Sequence, residues 1–186
     1  MSLGELVVVR HADTDWSESG QHTGRTDLPL NRDGRAAAAR LAERLAGRAF
    51  AAVWCSPLRR AVETCEIAGF SGSAQECAEL VEWDYGAYEG MTSEQIREQR
   101  PSWDMWRDGC PDGEDAAAVG ARADHVLATL GATGATLVFS HGHFLRVLIA
   151  RWLALAPEQG ALFLLAPGGI GVLAHEHDRR VLGSLG

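Results

Sequence analysis

The run Glu5–Val9 is apolar at four consecutive positions and then stops abruptly on Arg10-His11. A strand with one wet face alternates polar and apolar residues, so a continuous run must be covered on both faces. Ala52–Cys55 and Thr136–Ser140 repeat the pattern. Helical stretches separate and follow these runs: Arg32–Ala46, Ser56 to about Ala68, and Phe144–Leu155. Buried strands alternating with helices imply an α/β fold with a mainly parallel sheet and helices on both faces. Asn31 is placed to cap the first of these helices, with Gly47 beyond its end, and Pro57 suits the first position of the second. Further helices fit Ser93–Gln99 and Glu114–Leu130. Leu162–Leu165, Ile170–His175 and Arg180–Gly186 read as three more strands, and a polar loop fills Ala12 to about Leu30.

Composition narrows the class. The 186 residues fit a single domain, 1–186, large enough for a real core. The longest apolar stretch, Val147–Leu155, is broken by Arg151 and is too short to span a membrane. The opening MSLGE lacks the basic and apolar parts of a signal peptide, so the protein is expected to be soluble and cytoplasmic. Its cysteines, Cys55, Cys65, Cys77 and Cys110, form no CxxC pair, which favours reduced thiols over a zinc site. A net charge of −8 argues against nucleic acid as a partner. All 17 basic residues are arginine, so one arginine alone carries little signal.

Three strand ends do carry a signal. "LVVVRHADTDW" and "TLVFSHGH" are both apolar strands running into histidine, at His11 and His141. "VWCSPLRRA" is a strand running into a helix that offers Arg59 and Arg60 in its first turn. In a parallel sheet these carboxyl ends share one edge, where α/β proteins build their sites. Such a site would hold Arg10, His11, His141 and Arg59 or Arg60. Guanidinium groups match the oxygens of a phosphoryl group, neutral imidazole is a competent nucleophile, and phosphoryl transfer needs little beyond position and charge. Helix N-termini at Pro57 and after Gly142 would add N–H donors for the same anion. The acidic aromatic segment "ELVEWDYGAYEG" would supply the acid for the leaving group. Against this stands a metal reading, in which His141 with His143, or His175 with His177, share a strand face. His143 lies past its strand and His175–His177 borders an exposed turn, so no metal and no other cofactor is expected.

"VVRHADTDW", "GRTDLPLNRDG", "CSPLRRAVET", "WDYGAYEG", "PDGED" and "FSHGHFLRVL" occur in the order and spacing of the histidine phosphatase superfamily, the phosphoglycerate mutase-like proteins, over Leu6 to about Leu153. The resemblance implies a three-layer α/β/α sandwich and a phosphohistidine intermediate. His11 would be the nucleophile, Glu82 the proton donor, and Arg10, Arg60 and His141 the groups that hold the phosphoryl group. Thr23 and Gly24 match a loop that touches the substrate phosphate, and Ser17 stands where the family usually has asparagine. Gly142 belongs to the same phosphate-binding edge. His22 and His143 are expected at the mouth, with Arg25, Tyr88, Trp106, Arg107 and Phe144 as further candidates. Ser56, Arg35 and Gly34 read as structural.

"EWDYGAYEGMT" and "SHGHFLR" look like the branch of sedoheptulose/fructose bisphosphatases and small acid phosphatases. The mutases of the family typically carry extra segments, including a C-terminal tail that shields the phosphohistidine. The expected activity is therefore hydrolysis of a small phosphorylated substrate. Mutase-type transfer and a weakly catalytic phospho-ligand binding module are the alternatives. Ala12 replaces the glycine usual after the catalytic histidine, and its methyl is expected to crowd the phosphate loop. The apolar Ala161–Leu165 run offers an edge for a homodimer.

Overall fold

The computed structural model describes residues 4–130 and 134–186. Met1–Leu3, within the stretch read above as lacking a signal peptide, lie outside them. Six strands form one sheet: β1 (Leu6–Arg10), β2 (Ala52–Cys55), β3 (Ala74–Glu76), β4 (Thr136–Ser140), β5 (Ile170–Glu176) and β6 (Arg179–Leu185). Their order is β3-β2-β4-β1-β5-β6. The first four in that order run parallel, whereas β5 is antiparallel to β1 and β6 to β5.

The continuous apolar character of β1 has the expected cause. Leu6 and Val8 pack on one face, against α6 (Ala116–Leu130) and α7 (Gly142–Trp152). Val7 and Val9 pack on the other, against α2 (Arg32–Leu45) and α3 (Arg59–Ile67). Both sheet faces are thus covered, giving three layers. The same period of two carries Arg10 toward α7. Asn31 caps α2 as expected, its Oδ1 accepting from the Gly34 amide at 2.8 Å.

Several expectations need correction. Leu162–Leu165 is not a strand: Pro157–Leu162 forms a 3₁₀ turn and the next residues pass along the mouth of the site described below, with Leu162 and Leu164 exposed. Apolarity alone made that segment read as a strand. The short β3 sits at the sheet edge with a polar sequence, AQE, and offers no apolar signal. Within the expected loop, α1 (Asp15–Ser19) is held by a reciprocal cap between Thr14 and Ser17. α3 starts at Arg59, with Pro57 in the preceding turn, and its first amide donates to Asp27 Oδ1 at 2.7 Å. α7 begins at Gly142, two residues earlier than its periodicity suggests. Two short helices complete the chain, α4 (Ser93–Gln99) as expected and α5 (Met105–Asp108) unforeseen.

Candidate active site

Register brings the two histidines together. Arg10 pairs with Ser140 across β1 and β4, so His11 and His141 leave the sheet side by side, with ring centroids 5.1 Å apart. β2 ends beside them, with Ser56 donating its amide to the Phe139 carbonyl. The three strand ends do share one edge.

The tautomer of His11 follows from its neighbour. Its Nδ1 lies 2.8 Å from the Ala12 carbonyl, which can only accept, so Nδ1 carries the proton and Nε2 keeps its lone pair. Burial, then Arg60, then Arg10 push the His11 pKa well below the usual histidine value, which keeps the ring neutral. The Ala12 peptide is anchored in turn, its N–H donating to Thr64 Oγ1 at 3.1 Å. The Ala12 methyl does not crowd the phosphate loop as expected. It packs with Leu30 and Ala38 in a small separate core.

Behind His11 runs a chain of polar contacts. Arg60 Nε donates to His141 Nδ1 at 3.1 Å, so His141 carries its proton on Nε2 and donates to Ser56 Oγ at 2.7 Å. The other Arg60 nitrogens donate to the carbonyls of Thr23, Gly24 and Thr26. Glu89 Oε1 holds the same loop from outside, accepting from the Gly24 and Thr26 amides at 2.9 and 3.0 Å. Arg60, His141 and Gly24 therefore lie behind the cavity wall, because their polar atoms are committed to the protein. Ser56, read as a turn residue, is a member of this chain.

Glu82 occupies a position that the sequence does not announce. Its Oε1 accepts from the amides of Trp83 and Phe144 at 2.9 and 2.8 Å, and its Oε2 from that of His143 at 3.1 Å. The carboxylate thus caps α7 from a distant segment. The helix N-termini expected to face the anion are occupied: that of α7 by Glu82 and that of α3 by Asp27.

One cavity of about 280 Å³ opens at this edge, lined by Arg10, His11, Ser17, His22, Thr23, Glu82, Gly142 and His143 among others. Arg10 donates to the Leu165 carbonyl at 2.8 Å through Nη1, while its buried Nε has no partner. Gly142 lets this guanidinium approach, since a Cβ there would lie 3.0 Å from Arg10 Cζ. Ser17 lines the cavity, but its hydroxyl donates to the Thr14 carbonyl and is spent on the α1 cap. His22 stacks on Tyr85 at 4.7 Å, and burial lowers its pKa to about 4. His143 Nδ1 meets the Tyr85 hydroxyl at 2.6 Å, and burial, then Arg146, lower its pKa well below the usual value.

Other mouth candidates lie elsewhere. Arg25 pairs with Asp84 and Arg107 with Asp108, both at the surface. Tyr88 packs on Trp103, and Phe144 lies beneath Arg122. Trp106 supports the Arg146 guanidinium from below, 4.6 Å from its ring. Arg146 and Tyr85 are cavity residues that sequence reasoning missed. Arg146 stands four residues after Gly142, a helical spacing that could have found it.

A neutral histidine and a guanidinium with an unpartnered Nε, lining one cavity at the edge of an α/β sheet, fit a phosphoryl-transfer protein. The chain belongs to the histidine phosphatase superfamily (branch 1), whose model matches residues 6–186, and it is a phosphatase of that kind. It is 41% identical to an acid phosphatase of Mycobacterium tuberculosis, over 97% of this chain and 91% of that one. It is 30% identical to the sedoheptulose 1,7-bisphosphatase of Saccharomyces cerevisiae, over 92% of this chain and 87% of the relative. The solved structure of an open reading frame product of Mycobacterium tuberculosis superposes with a TM-score of 0.92, at 39% identity, covering 98% of this chain and 97% of that one.

Proposed function

We propose that this phosphatase hydrolyses small phosphate monoesters through a phosphohistidine on His11, without a metal. His11 Nε2 attacks phosphorus and the ester P–O bond breaks. Glu82 protonates the departing oxygen. Water then attacks the phosphohistidine, Glu82 takes its proton, and the P–N bond electrons return to Nε2. Arg10 binds the phosphoryl oxygens through its free N–H groups. Arg60 acts from behind the wall, adding positive potential and fixing the 23–26 loop, while neutral His141 ties Arg60 to Ser56. His22, Thr23, Gly142 and His143 shape the substrate's surroundings.

The observation that carries this reading is the Nδ1 contact of His11 with the Ala12 carbonyl, which leaves the Nε2 lone pair for the substrate. His11→Ala removes the intermediate itself, so turnover of p-nitrophenyl phosphate should fall by roughly three or more orders of magnitude. Wild-type enzyme quenched during turnover should carry acid-labile phosphate, and the variant should not. Near wild-type turnover by His11→Ala, or full inhibition by EDTA, overturns the reading.

The same reading takes a small phosphorylated molecule as partner and the cytoplasm as location. Two facts support it. Cys55, Cys65, Cys77 and Cys110 are free thiols. No helix among the described residues is long and apolar enough to cross a membrane. Exposed Leu162 and Leu164 support a homodimer through the 161–165 segment, which sedimentation velocity would detect.

A further inference from the structure

Arg122 on α6 has no role in the chemistry above and is not among the residues that line the cavity. It nevertheless reaches the chain that leads into Glu82. Its Nη1 donates to the carbonyls of Glu79 and Val81 at 2.8 and 2.7 Å, and its Nη2 to that of Glu82 itself at 3.3 Å. The remaining carbonyl of this stretch, that of Leu80, accepts from Ser140 Oγ at 2.7 Å. Four successive carbonyls are thus held by side chains, three of them by one guanidinium. Strand and helix ladders do not fix this stretch, so its place depends on those donors.

The guanidinium is itself fixed. Its Nε and Nη2 form a bidentate pair with the Glu114 carboxylate, at 3.1 and 2.8 Å. Glu114 continues the clamp beyond Glu82. Its Oε2 accepts from the Asp84 amide and its carbonyl from Trp83 Nε1, both at 2.9 Å. Arg122 also lies 4.7 Å from the Phe144 ring centroid, and the Phe144 amide is one of those that hold the Glu82 carboxylate. One side chain therefore touches both the backbone of Glu82 and the residue that aims its carboxylate. Glu114 matches the charge of Arg122, so what Arg122 supplies is place.

We propose that Arg122 is a positioning residue for the leaving-group proton transfer, holding the Glu82 carboxylate within reach of the departing oxygen by pinning the 79–82 segment to Phe144. The inference rests on the reading of Glu82 as proton donor and deepens it. Proton transfer needs hydrogen-bond reach, and a shift on the order of 1 Å is enough to lose it.

Leaving groups separate this role from general damage to the fold. For this mechanism kcat/KM covers the steps up to the phosphohistidine, in which Glu82 acts only as an acid. p-Nitrophenolate departs readily without a proton, whereas the alkoxide of glycerol phosphate does not. Arg122→Met should lower kcat/KM roughly 10- to 100-fold for glycerol phosphate and no more than about threefold for p-nitrophenyl phosphate. Arg122→Lys keeps a cation for Glu114 but reaches fewer carbonyls, so it should show the same preference with a smaller loss. Glu82→Gln should show the preference in full, and Arg122→Met added to it should bring no further selective loss. Should Arg122→Met fail to fold, Arg122→Lys decides alone. An equal loss on both substrates overturns the proposal, as does no loss on either. Glu82→Gln without a leaving-group preference overturns the proton-donor reading and this inference with it.

Discussion

Ala12 stands beside the nucleophile, where the resemblance leads one to expect glycine. Its methyl points away from the cavity, into contact with Leu30 and Ala38, while its carbonyl fixes the His11 tautomer. Ala12→Gly should therefore leave KM for p-nitrophenyl phosphate within about twofold. It should lower stability by roughly 1–2 kcal/mol, from the lost methyl burial and the added chain entropy. Urea unfolding and steady-state kinetics on the same preparation check this. A large drop in KM with unchanged stability would show that the methyl does crowd the phosphate. His11 and Arg10 were legible in the sequence because a strand end marks them. Ser56 was not, because its partner is 85 residues away and only the register of β2 on β4 brings them together.

At the scale of elements, α7 organises the site. Its first turn is closed by Glu82, its Gly142 admits Arg10, and its next turn presents Arg146. Gly142→Ala adds a good helix former, so the fold should hold and the melting temperature should move by only a few degrees. The new Cβ would meet the Arg10 guanidinium, which must give way. A displacement of that kind near the reacting centre should cost roughly 10- to 100-fold in kcat/KM. If Gly142→Ala retains full activity, Arg10 is not held against α7 in the way its approach implies. The alternation of strands and helices was readable because burial on both faces writes a continuous apolar run. The polar edge strand β3, the cap-driven α1 and the Leu162–Leu165 segment, with Leu162 and Leu164 exposed, break that link between apolarity and burial, and each was misread or missed. Glu82 as the cap of α7 was equally invisible, since capping residues are sought next to a helix.

The whole molecule carries its histidines in an acid-sensitive arrangement. His11, His22 and His141 are buried, His143 is half-buried, and all four are held neutral, with pKa values lowered chiefly by loss of solvent. In the unfolded chain each titrates near 6.5. Below that pH the unfolded state binds protons that the native state refuses, so stability falls as pH falls. For His22 the loss continues down to about 4 and then levels off, a contribution on the order of 3 kcal/mol. Ion-paired carboxylates add their losses lower on the scale. Glu63, held down by its hydrogen bonds to Arg59 and Arg35 against an opposing burial effect, starts to lose stability only below 4.5. Asp108, hydrogen-bonded to Arg107, is lowered to about 2 from 3.8. The interval from pH 6.5 to 4.5 therefore isolates the histidines. Urea unfolding at intervals of half a pH unit should show stability declining through that window. His22→Asn should flatten part of the decline, because a side chain that does not titrate replaces one that does. Stability that stays level from pH 7 to 4.5 would mean that these rings take up protons in the folded protein as readily as in the unfolded chain. His11 would then lose its Nε2 lone pair as the pH falls through 6.5, so the same titration also tests whether the nucleophile stays neutral in mild acid.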